Sequence, residues 1–468
     1  MTVAHQTSTG TATASQRERP AGLRLAPSRR LVVVAAVLLV LPALAEILVD
    51  GADWVLVIAA VALVVAAALD ALVGVDRAGG VRASMSPRSR LTLGRPASVD
   101  LVLRGEQRRQ LRVGIALAAE LGADTSEPDV LLEGAESGVC VSWRVRPYRR
   151  GSYTIDRVHL EAGSPLGLWA VRWVAFVTGE VRVYPDLRAE GRDVAALFLR
   201  RTGAGARLQR MVGRGREFEK LREYLPGDGY DEIHWKATAK RGHPVTKVFQ
   251  VERTQEVYAI LDASRLSGRE TGATDPERPA MPILERQINA ALALALAAER
   301  QGDLFGLATY ADQPRSFVRA RGGAAHFQAC REALVSLHPE PVSPDLREVC
   351  SFLRTRLRKR ALLLFLVSLD DPALAEAFVE AVQSLARHHL IVVATPRPPD
   401  AAPVFDGPAP ADLPDAFARL GGHLRWQGLQ DLGMRLHRVG IHHVLLERDA
   451  LAAGVVSQYL ALKQRQLI

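Results

Sequence analysis

Two apolar runs near the start of the chain, Leu31–Val49 and Trp54–Val73, limit the possible folds more than any other feature. Only Asp50, Gly51, Ala52 and Asp53 separate them. At about 1.5 Å per helical residue, each run reaches across a hydrocarbon core of roughly 30 Å. The pair therefore reads as a transmembrane helical hairpin over residues 31–73 with an acidic turn. Arg17, Arg19, Arg24, Arg29 and Arg30 precede the first run, and Arg77, Arg82, Arg88, Arg90 and Arg95 follow the second. Arg and Lys mark the cytoplasmic side of a span, which predicts a two-span cell-membrane protein with both termini in the cytoplasm.

Ala43-Leu44-Ala45 before Glu46 has the pattern of a signal-peptide cleavage site. The long stretch ahead of it and the second run just behind it favour the hairpin. Glu46 and Asp70 are ionisable groups inside the runs, a pattern that can mark function. Both lie near run ends, so the expectation is that their side chains simply reach the interface. Residues 1–30, rich in Thr, Ser, Ala and Arg with no apolar period, read as a disordered cytoplasmic tail.

Over the whole chain the mean hydropathy is +0.04, too low for a many-spanning transporter. The 468 residues are 48% hydrophobic and 24% charged, a globular balance with room for several domains. Cys140, Cys330 and Cys350 are scattered and odd in number. That excludes a disulfide framework or a Cys-rich zinc module, and fits a reducing compartment.

From residue 80 to 186 the pattern becomes one of alternation. Val139, Val141, Trp143 and Val145 share one face, with Cys140, Ser142, Arg144 and Arg146 on the other. Similar runs at Ser98–Leu103, Leu111–Leu117, Tyr153–Leu160 and Glu180–Val183, bounded by turn residues, predict a small β-sandwich.

Over 256–468 apolar runs alternate with helical stretches. Strands are expected at Glu256–Leu261, Leu304–Thr309, Ala361–Val367, Leu390–Thr395 and His442–Leu446. Helices are expected near Pro282–Gln301, Ala324–Leu337, Asp345–Lys359, Pro372–His388, Gln430–Val439 and Asp449–Arg465. That order implies an α/β doubly wound domain with a parallel sheet. Ligands of such sheets bind beyond the C-terminal strand ends. There the chain offers Asp262 and Ser264, and then Ser368, Asp370 and Asp371, oxygen donors that suit a hard divalent cation. The candidate metal residues are Asp262, Ser264 and Asp370.

The arrangement resembles the von Willebrand A domain, whose metal site uses Asp-x-Ser-x-Ser after the first strand. Asp262 and Ser264 match, Leu266 stands at the second Ser position with Ser267 one residue on, and Ser343 is the candidate for that family's Thr. The resemblance implies a degenerate site: either no cofactor or a weakly held Mg²⁺.

Between the two domains, residues 187–255 form a basic linking segment. Residues 188–222 hold ten Lys/Arg against four acids. Phe218, Leu221, Tyr224, Ile233 and Trp235 stand among dense charges around the turn Pro226-Gly227-Asp228-Gly229. Apolar anchors in that setting look like an interface rather than a solvated tail. The segment resembles the domain of unknown function 58 family, recognised by Gly-x-Gly-x-Glu-Phe, Leu-Arg-x-Tyr-x-Pro-Gly-Asp and Ile-x-Trp-Lys-x-Thr-Ala. Gly213, Gly215, Glu217, Phe218, Leu221, Arg222, Tyr224, Pro226, Gly227 and Asp228 match, followed by Ile233, Trp235, Lys236, Thr238 and Ala239. Arg149-Arg150-Gly151 and Ser164-Pro165-Leu166-Gly167-Leu168 resemble that family's upstream elements. Asp231 and Gly229 depart from its usual Arg and second acid.

The resemblance implies a membrane-anchored, von Willebrand A-like interaction or scaffold protein. Its implied partners are a MoxR-type AAA+ ATPase and a client protein, in envelope or protein-maturation assembly. No enzyme activity and no nucleic-acid partner are expected. Two other readings compete with this one. Glu217, Asp228 and His234 could do general acid–base work. The basic 188–222 stretch could hold anionic lipid or nucleic acid. His388-His389 and His442-His443 lack ligand spacing and read as packing or surface residues.

Overall fold

The computed structural model describes residues 21–46, 53–78, 80–105, 108–124, 127–132, 138–187, 212–225, 229–230, 233–250, 255–271, 281–406 and 410–465. The chain divides into two compact units, Met1–Tyr184 and Pro185–Ile468.

The first unit opens with β1 (Ala21–Pro27), α1 (Arg29–Glu46) and α2 (Asp53–Ala78). It continues with β2 (Val81–Met85), β3 (Arg88–Thr92), β4 (Ala97–Gly105), β5 (Arg109–Ile115), β6 (Asp129–Leu132), β7 (Val139–Val145), β8 (Gly151–Gly163) and β9 (Trp169–Tyr184). One sheet runs β1-β9-β8-β5-β6, with β3 also on β9, and a second runs β2-β4-β7. Alternation sends Val141, Trp143 and Val145 of β7 inward beside Val99, Leu101 and Leu103 of β4. They share a core with Leu111, Val113, Leu160, Val171, Trp173 and Val181 of the other sheet, which makes a β-sandwich.

Three expectations change here. Residues 21–27 are not an unpatterned tail: they form an edge strand antiparallel to β9, pairing Leu25 with Val171 and Pro27 with Trp169. A strand whose order comes from backbone pairing with a distant segment leaves little trace in its own sequence. Secondly, one stretch among the described residues, Val57–Ala78, is a helix long and apolar enough to cross a membrane, where two were expected. The first run forms the 18-residue α1; the side chains of its end, including Glu46, lie outside the described residues.

Thirdly, Asp70 does not reach outward. Only 3% exposed, it accepts hydrogen bonds from the Leu166 amide (2.8 Å), the Leu168 amide (3.1 Å) and the Ser164 hydroxyl. The Trp169 indole N–H donates to the Ala67 carbonyl at 2.8 Å, and Ser28 ties the same turn through the Gly167 and Leu168 carbonyls. A carboxylate in an apolar helix is stable there because its acceptor capacity is filled.

The second unit begins with β10 (Val212–Glu223), α3 (Trp235–Arg241) and β11 (Val245–Gln250), the two strands forming an antiparallel ribbon. Then come β12 (Glu256–Asp262), the short pair β13 (Glu270–Thr271) and β14 (Met281–Pro282), and α4 (Ile283–Arg300). After them follow β15 (Leu304–Tyr310), β16 (Pro314–Arg321), α5 (Ala324–Val335), α6 (Leu346–Arg356), β17 (Ala361–Leu366) and α7 (Pro372–Ala386). The chain continues through β18 (Leu390–Pro396), α8 (Leu413–Arg438), β19 (His442–Leu446) and α9 (Leu451–Gln464).

The main sheet runs β16-β15-β12-β17-β18-β19 and is parallel except for edge strand β16. Val257, Ala259 and Leu261 of β12 pack with α4, α5 and α9; Tyr258 and Ile260 pack with α6, α7 and α8 on the other face. Helices on both faces bury all six residues of β17, which is why the strands read as continuous apolar runs. The sheet thus has the doubly wound α/β form.

Strand β16 was not expected, since Pro314–Arg321 is half polar. Helix α8 starts well before Gln430. Asp412 caps it by accepting the Asp415 amide at 2.8 Å, with Pro414 in the first turn. Four glycines inside the helix hide its period; Gly422 is there because any Cβ would lie 2.0 Å from the Asp400 carbonyl oxygen.

Candidate functional site

The C-terminal ends of β12 and β17 lie side by side, with Leu261 paired to Leu366, so the residues after each strand emerge together. Asp262 is fully buried, and its Oδ1 accepts the Ser264 amide at 2.8 Å. Its Oδ2, the Ser264 and Ser368 hydroxyls, Asp370 Oδ1 and the Tyr310 hydroxyl are all buried without a hydrogen-bond partner. Such groups are costly to leave bare, and several at one strand end are the mark of a site. Burial pushes the Asp262 carboxyl up to about 6, against a smaller opposing pull from Ser264. The Tyr310 phenol lies well above its ordinary range, first through burial and then through the nearby Asp262 charge.

The short 3₁₀ turn Arg265–Gly268 fixes the rim. Arg265 donates to Asp371 at 2.8 Å, and Arg269 is ion-paired with Asp370. Leu266 is 2% exposed and belongs to the packing. Ser267, one residue on, is 1% exposed, and its hydroxyl donates to the Ser264 carbonyl at 2.7 Å. Ser343 is exposed.

The orphaned oxygens of Asp262, Ser264, Ser368 and Asp370 fit a hard cation in donor type; among the described residues no cluster of three His, Cys, Asp or Glu does so. Those four residues would hold the ion, beside two guanidiniums that already neutralise part of the acidic rim. Ser368 stood among the strand-end oxygen donors of the sequence though not among its candidate metal residues, and Tyr310 was passed over altogether. Tyr310 shares a register position with Asp262 across β12 and β15, which no local spacing announces.

The linking motif is built differently. Ile233 is buried at 6% and bridges to Thr246; the Thr238 hydroxyl accepts the Val245 amide at 3.1 Å. His234 caps α3, its Nδ1 accepting the Ala237 amide at 3.0 Å. Leu221 faces Lys247 and Arg222 faces Thr246 across the ribbon, while the Tyr224 and Tyr230 rings stack at 6.4 Å. In contrast, Leu225, Tyr230 and Trp235 are 57%, 76% and 67% exposed. Lys236 and Ala239 are exposed as well.

Pro226, Gly227, Asp228 and Asp231 lie outside the described residues, as do the side chains of Gly213, Gly215, Glu217 and Phe218 and the 188–211 part of the basic stretch. The acid–base trio is therefore described only at His234, whose Nδ1 is taken by the helix cap. Of the paired histidines, His389 accepts the Ala361 amide at 3.3 Å, and His443 lies 3.2 Å from the Thr395 hydroxyl. Burial depresses both, His443 to about 4.

Residues 220–408 match the family described as "Protein of unknown function DUF58". The match takes in the motif from Leu221 onward and runs through the strand-end cluster. No curated protein matches the chain. Among solved structures, the chain is similar to the conserved hypothetical protein BatB from Bacteroides thetaiotaomicron. The identity is 14% over 45% of this chain and 99% of that one, with a TM-score of 0.28. An aerotolerance-related membrane protein from Bacteroides fragilis is 14% identical over 44% and 97%, TM-score 0.27. The SpRpn10 VWA domain is 11% identical over 44% and 95%, TM-score 0.27. Likenesses at that level bear no functional weight.

Proposed function

We propose that the protein, a member of the DUF58 family over residues 220–408, is a membrane-anchored interaction protein and not an enzyme. Its α/β unit docks a MoxR-type AAA+ ATPase and a client protein on the cytoplasmic side, in envelope or protein-maturation assembly. The observation that carries this reading is the exposure of the motif's Trp235, 67% of whose surface is open. A Trp that serves only the fold is buried; here Trp235, with the neighbouring Tyr230, points to solvent on a small ribbon-and-helix element. Exposed Trp and Tyr are the side chains that dominate protein interfaces.

In this reading α2 is the main span and α1, an 18-residue helix with Val32, Val33, Val37 and Val40 exposed, is the return arm of the hairpin, which keeps both termini cytoplasmic. The exposed apolar side chains of α2 support it, among them Val57, Ile58, Val61 and Val64. The strand-end cluster takes Mg²⁺ weakly at most, since Leu266 supplies no ligand.

Trp235→Ala tests the docking surface. For an exposed side chain the stability change stays within about 0.5 kcal/mol, so the melting midpoint of the full-length protein is unchanged. Purification of the variant from native membranes then loses the AAA+ ATPase that the wild type brings along. A fall in midpoint equivalent to about 3–5 kcal/mol would instead make Trp235 a core anchor. Retained midpoint and retained ATPase would sink the docking role.

A further inference from the structure

Helix α2 is not free along its length. Ala67, Asp70, Gly74 and Ala78 are buried, one face at helical spacing, against the β-sandwich of the same unit. The approach is close: a Cβ at Gly74 would lie 3.1 Å from Val171 and 3.3 Å from the Ser164 side chain. The clasp described above, Asp70 to the turn and Trp169 to Ala67, fixes the turn Ser164–Leu168 beside this part of the helix.

The other side of α2 tells a different story. Trp54, Val57, Ile58, Val61, Val64, Val65, Leu69, Leu72 and Val73 are all exposed, so the apolar surface continues past the clasp. From Trp54 to the residue before Ala67 the helix rises only about 20 Å, short of a hydrocarbon core of roughly 30 Å. To bring Leu69, Leu72 and Val73 into an apolar medium, the membrane boundary has to reach the clasp.

The turn at that level is itself apolar where it faces out. Pro165 is exposed and Leu166 is 60% exposed, while Leu25 on the paired edge strand is 40% exposed. Trp169, with an apolar ring and one anchored N–H, is the residue type that populates the bilayer interface. Arg24, Arg29 and Arg30 are exposed around the same turn, and a Cβ on Gly167 would meet Arg30 at 3.0 Å.

From this we propose that the β-sandwich is itself a membrane-contacting domain. The turn Ser164–Leu168 lies in the headgroup layer beside α2, with Leu166 toward the acyl chains and Arg24, Arg29 and Arg30 at lipid phosphates. The proposal rests on the anchoring role of α2 and adds a second contact to it. Its consequence is rigidity. A domain held both by its helix and by its rim cannot swing on a tether.

The test uses full-length protein in phosphatidylcholine–phosphatidylglycerol vesicles, with Cys140→Ser removing the exposed thiol; Cys330 and Cys350 are buried. Nitroxide labels go on single cysteines at Leu166→Cys, Val61→Cys and Leu131→Cys, all exposed positions. Collision with oxygen reports lipid, and collision with a water-soluble nickel chelate reports solvent. The expected result is oxygen-dominated relaxation at Val61, nickel-dominated relaxation at Leu131, and a ratio at Leu166 several-fold above that at Leu131. Leu166 matching Leu131 while Val61 stays in lipid overturns the rim contact and leaves the anchor standing. A water-like Val61 removes the anchor and this inference with it. Leu166 shielded from both reagents means a protein surface covers the turn, and also overturns the proposal.

Discussion

Removing the Asp70 carboxylate isolates the clasp between α2 and the sandwich. Three donors converge on it: the Leu166 and Leu168 amides and the Ser164 hydroxyl. The hydroxyl can rotate, and it still accepts the Trp169 amide at 2.9 Å. The two amides cannot move without breaking the turn, in which Gly167 sits at φ +73° and its amide donates to the Ser164 carbonyl. Each stranded amide costs about 1–3 kcal/mol, so Asp70→Ala opens the turn by about 2–6 kcal/mol. Asp70→Asn keeps one carbonyl oxygen and loses about half of that.

Global melting reports whole units and not this one turn, whose opening is a local event. Native-state hydrogen exchange reads the turn directly. With about 1.4 kcal/mol per tenfold change, the Leu166 and Leu168 amides exchange about 30-fold faster or more in Asp70→Ala, with a smaller gain in Asp70→Asn. Amides of β17, in the other unit, keep the wild-type rate. If exchange at Leu166 and Leu168 stays within about twofold of wild type, the carboxylate does not hold the turn, burial and three donors notwithstanding.

The raised Asp262 carboxyl gives a pH signature. A group whose folded pKa lies above its ordinary value of 3.8 favours folding while protonated, and that contribution is lost as pH climbs from 3.8 through about 6. The loss amounts to about 3 kcal/mol, and Asp262→Asn flattens the profile, as urea melts of the two proteins at pH 4 and pH 7 would display. Millimolar Mg²⁺ at neutral pH raises the wild-type midpoint by no more than about one or two degrees, a gain of about 0.4 kcal/mol at millimolar Kd. A large rise that vanishes in Asp262→Asn means the ligand set is more complete than Leu266 implies. Gly306→Ala overpacks the sheet, since its Cβ would lie 2.3 Å from the Tyr258 ring and 2.9 Å from the Ala320 amide nitrogen. It costs about 1–3 kcal/mol in the same melts, and an unchanged midpoint would show that β15 and β16 yield freely.

The apolar β-runs of the second unit and the alternation in β7 were legible in the sequence because burial there follows local periods of the chain. Each residue's partner class is set by its own strand or helix, so Leu362–Phe365 announce a two-sided core without knowledge of their neighbours. The oxygen donors Asp262 and Asp370 were legible too, since an α/β sheet puts its strand ends together whatever the loops are. Exposed Trp235 was not. A Trp among charges serves a core or a surface equally well, and only the packing around α3 leaves it outside. Tyr310 entered the site through lateral register between β12 and β15. The largest tertiary decision concerns the membrane end of the chain. Hydropathy alone finds the apolar length of α2, because it sums transfer preferences residue by residue. It cannot find that Asp70 closes a turn almost a hundred residues away, or that residues 21–27 become a strand on β9. Those outcomes depend on donors supplied by distant segments, and folding alone brings them together.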